Sequence, residues 1–271
     1  MTDVEEAKRL LGAMTEAQQR EVLAFLRRIV PPHPMEVELL APAESLMEAL
    51  ARAPELTTRM IRGVIAEAAF AVEIIPTLGA AWKEKPIGRD QPYDFLLTDN
   101  PTSQNNATHR QVGDIRVQVK MQRSMKQQPL LASEVWKTKV HWPSTHYVVE
   151  MQRTRKGERG GLSTRPYRFG ELDILAVSLG PARRRWGAFM YTLERWLLPD
   201  PARPGQILTF QPVAPESNEF WTSDFLRCVE WLRDGEQKVI EGDLPTVPRT
   251  VKLPRLRGVR GRESKRPRKK P

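Results

Sequence analysis

Two short apolar segments and one helix carry the side chains in this sequence that could do chemistry. In residues 114–121, DIRVQVKM, strict alternation sends Ile115, Val117, Val119 and Met121 to one face of a strand and Asp114, Arg116, Gln118 and Lys120 to the other. A four-residue polar face either meets water or looks into a cleft. In a cleft, Lys120 is a charge held beside a bound anion. Asp94 stands between apolar neighbours in Tyr93-Asp94-Phe95-Leu96, where a carboxylate without a partner is costly to bury. A hard divalent cation such as Mg²⁺, which prefers oxygen ligands, relieves that cost. Gln118 can add its side-chain carbonyl oxygen and Val119 its backbone carbonyl. Glu67 is the fourth candidate: in GVIAEAAFAVEII it lies among Val64, Ile65, Ala68 and Ala69, so it is either paired or a ligand.

The elements that position these residues follow from periodicity and from proline and glycine punctuation. Residues 4–30 read as helices, with Thr15 as an N-cap, a stripe of Val22, Leu23, Phe25, Leu26 and Ile29, and Pro31-Pro32 as the stop. A second helix covers roughly 43–53. A third runs from Thr57 or Thr58 to about Ile74, ended by Pro76 and Gly79. Strands are expected at 92–97, 114–121, 145–151 and 172–179, the last an almost unbroken apolar run of the kind that is buried on both faces. Residues 187–193 are its expected neighbour. A short helix is expected at 133–138 and a last one at 222–234. Residues 98–113 and 155–164 read as loops, and 249–271 lack any core-forming pattern.

This order, with Pro92-Tyr93-Asp94 on one strand, Gln118-Val119-Lys120 on the next and a preceding helix bearing Glu67, resembles the PD-(D/E)xK nuclease superfamily over about residues 57–151. Type II restriction endonucleases are its best-known soluble members of this size. Two departures stand out: Tyr93 is inserted between Pro92 and Asp94, and Gln118 replaces the usual acid, removing one negative charge from the metal site. The resemblance implies an α/β fold with a restriction-endonuclease-like core, a central mixed sheet flanked by helices. Residues 1–53 would be an N-terminal helical extension, 54–248 the nuclease domain and 249–271 a basic disordered tail. It implies a Mg²⁺-dependent DNA endonuclease with Asp94, Gln118, Lys120 and Glu67 as catalytic residues and Asp94, Gln118, Val119 and Glu67 around the metal. Water would attack in line to leave 5′-phosphate and 3′-hydroxyl ends. Double-stranded DNA would be the partner and a homodimer the usual assembly. A structure-selective repair nuclease and a non-catalytic DNA-binding protein on a degenerate nuclease fold are the alternatives.

Charge is distributed unevenly. The chain of 271 residues has 43 Lys+Arg and 33 Asp+Glu, a net charge of +10. Residues 249–271 hold 11 basic residues and one acid, so the rest is neutral. Within the rest, residues 82–168 carry 16 basic and eight acidic side chains. Concentrated positive charge suits a polyphosphate through counterion release, or is simply a solvated basic surface. Arg116 could touch the DNA backbone or form an ion pair. Gln122, Arg123 and Lys126 could read base edges or belong to a solvated loop. Arg155 and Lys156, beside glycines, would suit an arm closing around DNA. Tyr167, Arg168 and Asp173 read as packing and ion-pair residues. One cysteine, Cys228, excludes an internal disulfide and a cysteine-based zinc site. His33, His109, His141 and His146 have no metal-ligand spacing. No apolar run is long enough to span a bilayer and no secretory leader is recognisable, so a cytoplasmic protein without a membrane partner is expected.

Overall fold

The computed structural model describes residues 3–80, 82–88, 90–99, 113–125, 128–135, 145–153, 158–159, 162–163 and 165–240. Lys126, Arg155, Lys156, His109, His141 and the tail 249–271 lie outside them. The chain divides into two compact units between Met60 and Ile61, inside a helix and beyond the boundary expected at residue 53.

The first unit is helical: α1 (Asp3–Ala13), α2 (Glu16–Ile29), α3 (Pro34–Glu38), α4 (Ala43–Ala51) and the start of α5 (Glu55–Ala69). Thr15 caps α2 through a reciprocal box with Gln18, in which the two otherwise orphaned donors at the helix start are satisfied. Helix α3 was not expected from the sequence. Its N-cap is His33, whose Nδ1 accepts from the Met35 N–H at 3.2 Å. No residue of 3–60 is buried.

The second unit is built on a five-stranded mixed sheet in the order β1 (Trp82–Lys85), β2 (Phe95–Asp99), β3 (Ile115–Met121), β9 (Ile174–Ser178), β10 (Phe189–Leu193). Only β3 and β9 run parallel; the other neighbours are antiparallel. Between β3 and β9 the chain forms a small ladder of β4 (Ser124–Met125) with β5 (Gln128–Pro129), the turn of helix α6 (Ala132–Val135), β6 (Tyr147–Glu150), and a ladder of β7 (Glu158–Arg159) with β8 (Leu162–Ser163) inside the stretch read as a loop. Helix α7 (Gly180–Arg183) links β9 to β10. Then β11 (Pro199–Asp200) pairs with β12 (Arg203–Ile207), β13 (Phe210–Val213) pairs with β6, and α8 (Phe225–Asp234) closes the described fold.

Phe70 fixes the end of α5 against the sheet. Its ring lies 5.0 Å from Phe95, 5.6 Å from Phe189 and 5.8 Å from Phe225 of α8, and it is fully buried. From Phe70 the helix loosens into a π-helical turn to Ile74, then a 3₁₀ turn to Leu78, and Gly79 at φ 84° reverses the chain where a side chain would be strained. Asp224 caps α8 by accepting from the Leu226 N–H at 2.9 Å, and Gly235 at φ 71° ends it. Strands β9 and β10 are buried at every position, as an almost unbroken apolar run predicts. Among the described residues no helix is long and apolar enough to cross a membrane.

Candidate active site

Pairing between β2 and β3 decides which side chains meet. Phe95 is opposite Val117, Leu96 opposite Arg116 and Leu97 opposite Ile115, so one more step puts Asp94 opposite Gln118. The Asp94 N–H donates to the Val117 carbonyl at 3.0 Å, which carries the ladder to that pair. Directly opposed residues share a face of the sheet. Asp94, Gln118 and Lys120 therefore converge on the polar face that alternation predicted. It is not a wet face: Gln118 is only 2% exposed.

The contacts at this junction are dense. Asp94 Oδ2 accepts the Val119 N–H at 2.9 Å and a short hydrogen bond from Gln118 Nε2. The same Nε2 donates to the Val119 carbonyl at 2.9 Å. Burial raises the Asp94 carboxyl above its ordinary range, opposed by the Lys120 charge and the Val119 N–H. Glu67, from α5, feels the same group. Burial first and the Asp94 charge second push its carboxyl up to about 7, with Lys120 pulling the other way. Two acids held up by burial, one of them also by the other's charge, beside a single ammonium form a cluster short of positive charge.

Whether a divalent cation fits can be tested on these atoms. Among the described residues no group of three or more His, Cys, Asp and Glu side chains is disposed to hold a metal. The acidic donors are two, Asp94 and Glu67. The Val119 carbonyl is taken by the Gln118 amide, which turns its nitrogen, not its oxygen, toward Asp94. A half-turn of that amide exchanges Nε2 for Oε1 without other movement. Its oxygen would then stand beside a carboxylate and a carbonyl, an arrangement favoured only with a cation among them. Two carboxylates, an amide oxygen and a peptide oxygen are the hard donor set that Mg²⁺ takes.

Tyr167 completes the junction; the sequence reading set packing and ion pairing above a catalytic role for it. Lys120 Nζ lies 5.1 Å from the Tyr167 ring centroid, within cation–π range. Nothing in the sequence distinguishes this tyrosine from the core aromatics around it; only the return of the 165–169 segment beside β12 brings it to Lys120.

Three of the residues expected to contact DNA, Arg116, Gln122 and Arg123, lie among the described residues. Arg116 is committed to an ion pair: its Nη2 and Nε hold the two Asp173 oxygens at 2.8 and 2.9 Å, and its Nη1 donates to the Gly170 carbonyl. The pair ties β3 to the chain entering β9, the ion-pair role expected of Asp173. Gln122 is fully buried, so it cannot read base edges; among the described residues neither of its amide atoms has a partner. Arg123 is mostly buried and lies 3.2 Å from Glu150. The same pattern covers Lys85 with Asp114 at 2.6 Å and Arg153 with Glu171 at 2.8 Å. The basic zone at 82–168 is thus partly neutralised by acids, two of them, Glu171 and Asp173, supplied by the following segment. Comparison of the chain with protein-family models, with curated proteins and with solved structures finds no match.

Proposed function

We propose that this protein is a Mg²⁺-dependent endonuclease of the PD-(D/E)xK type that hydrolyses phosphodiester bonds in double-stranded DNA at a specific sequence. The observation that carries the proposal is the opposition of Asp94 and Gln118 across β2 and β3, with Lys120 two residues on and Glu67 within electrostatic reach. Four residues that the superfamily-like spacing singled out, from three separate segments, converge on one half-buried junction. The restriction-endonuclease-like form of the mixed sheet, a homodimer and a cytoplasmic setting belong to the same proposal.

Asp94 and Glu67, with the Gln118 amide oxygen and the Val119 carbonyl, would hold the cation. Bound there, it would supply Lewis acidity toward the scissile phosphate and acidify a water. The chain's own contribution is positional and electrostatic. The Val119 N–H keeps Asp94 aimed at the junction. The Lys120 ammonium orients the attacking water and stabilises negative charge growing on the phosphoryl oxygens. The Phe70 cluster anchors α5, so Glu67 approaches from a rigid element and not from a loop. Since the described cations beside the site are largely paired, general attraction for DNA falls to the basic residues elsewhere, the tail above all.

Purified protein should cut plasmid or phage DNA with Mg²⁺ and stop when EDTA is added. Discrete fragments indicate sequence specificity, and cutting of branched DNA alone indicates a repair nuclease. One observation favours a second reading. The Gln118 amide satisfies Asp94 with no cation present, as a protein that binds DNA without cutting it would require. Binding without cleavage over a full titration of Mg²⁺ and Mn²⁺ would establish that second reading and reject the first.

A further inference from the structure

We propose, on the site assigned above, that Tyr167 is a positioning residue whose buried ring holds the Lys120 ammonium beside the Asp94 and Glu67 carboxylates. Lysine is a poor choice for a fixed charge. Its stem has four rotatable carbons, and ordering it costs about 1.5–2 kcal/mol of side-chain entropy. Among the described residues Lys120 has no carboxylate in direct ion-pair contact, so an acid does not fix it.

Tyr167 supplies what is missing. It is 3% exposed, and its carbonyl accepts the Ile207 N–H of β12 at 2.9 Å. Its neighbours are tied on both sides: Pro166 is bridged to Gln152, and Arg168 to Gln206. The ring is therefore fixed by backbone pairing independent of the site. The Lys120 ammonium lies within cation–π range of the ring, 5.1 Å from its centroid. Arg153 lies 5.3 Å from the same centroid, but its charge is directed to Glu171 at 2.8 Å. The ring thus attracts both cations while only Lys120 is left to serve the acids. Burial raises the Tyr167 phenol above its ordinary range, so the ring stays neutral. Preorganisation of this kind converts a mobile charge into one already placed where the reaction needs it.

The test is a pair of measurements on the full chain with Tyr167→Phe, which keeps the ring, and Tyr167→Met, which removes it. The first is reductive methylation of the metal-free protein with formaldehyde and borohydride, read by mass spectrometry on the peptide containing Lys120 and normalised to exposed Lys83. Circular dichroism verifies folding. Labelling of Lys120 should stay within ~2-fold of wild type in Tyr167→Phe and rise about 10-fold in Tyr167→Met, as loss of a fixed geometry worth roughly a rotamer's entropy predicts. The second is plasmid cleavage, where kcat should fall about 10-fold in Tyr167→Met and be nearly kept in Tyr167→Phe, with KM within ~2-fold in both, the signature of a lost transition-state interaction. Equal Lys120 labelling in all three proteins would overturn the proposal whatever the cleavage result. A rise in KM at constant kcat would also overturn it, making Tyr167 a substrate contact. Wild type that never cuts, with the labelling difference intact, would reject the nuclease assignment and leave Lys120 held by Tyr167.

Discussion

Replacing Glu67 by glutamine should stabilise the metal-free protein above neutral pH while abolishing its proposed activity. In the folded protein the Glu67 carboxyl holds its proton up to about 7, against 4.5 ordinarily. Between those values the folded state binds more protons than the unfolded chain, so stability falls as pH rises from about 4.5 to about 7 and is level above it. At ~1.4 kcal/mol per pH unit the ceiling is roughly 3 kcal/mol, and because the carboxyl is only partly buried, screening by water leaves about 1–2 kcal/mol. Glutamine has nearly the same shape and no charge to bury. In EDTA at pH 8, Glu67→Gln should therefore melt higher by roughly 2–8 °C, at 2–4 °C per kcal/mol for a unit of this size. At pH 5 most of the gain should vanish, since the folded carboxyl keeps its proton there and pH 5 lies near the lower end of that range. Thermal unfolding by circular dichroism at the two pH values measures it. Saturating Mg²⁺ should narrow the difference at pH 8, because a cation stabilises the carboxylate of the wild type and not the amide of the variant. A variant no more stable than wild type at pH 8 would refute the claim that this acid is held at an electrostatic cost. A gain equal at pH 5 and pH 8 would assign the effect to packing.

Three further outcomes are expected. Lys120→Ala should lower kcat roughly 100- to 1000-fold, the usual cost of one transition-state donor, with the fold retained by circular dichroism; near-normal cleavage would remove Lys120 from the mechanism. Phe70→Ala should cost about 3–5 kcal/mol in urea unfolding, since the ring packs on Phe95, Phe189 and Phe225 at the centre of the second unit; a cost below ~1 kcal/mol would mean that α5 is anchored elsewhere. Deleting residues 249–271, which hold 11 Lys+Arg, should flatten the salt dependence of DNA affinity by about 0.9 in log–log slope for each phosphate that the tail neutralises in the full chain, and an unchanged slope would show that the tail does not touch DNA.

What was legible in the sequence depended on how local its physical cause was. The α2 cap, the 174–178 strand and the two faces of β3 follow from residue type and period within a few positions, and the structure has them. Glu67 could be singled out because a carboxylate among alanines and valines is anomalous wherever the helix packs. Strands β1 and β12 were not legible. WKEK is charged in the way exposed edge strands are, and RPGQI carries a proline and a glycine that argue against a strand; both exist because a partner strand lies beside them. The fate of the arginines was illegible for a related reason. Asp173 lies 57 residues from Arg116 and Glu171 lies 18 from Arg153, and only the parallel return of the chain to β9 joins them. A surplus of positive charge counted along the sequence was therefore not a surplus in space. Tyr167 failed in the opposite direction: a buried aromatic is so ordinary that nothing marked it before its ring was found beside Lys120.

Gln118 is where the fold, the charge balance and the proposed chemistry meet. With an acid at this position the junction would hold three carboxylates against one ammonium, in a place where Gln118 itself is 2% exposed. Each buried carboxylate without a partner disfavours its own charge, so such a junction would depend on a cation for stability. The amide changes that balance. It donates to Asp94 and to the Val119 carbonyl at once, so the metal-free junction is hydrogen-bonded throughout on that side and carries only the Asp94 and Glu67 acids. Stability without metal is gained at the expense of affinity for it, because one anionic ligand is gone and a hydrogen bond must be broken before the amide oxygen can face a cation. Under the proposed function, such a site would favour a weakly held Mg²⁺ and make the DNA substrate part of the metal's binding.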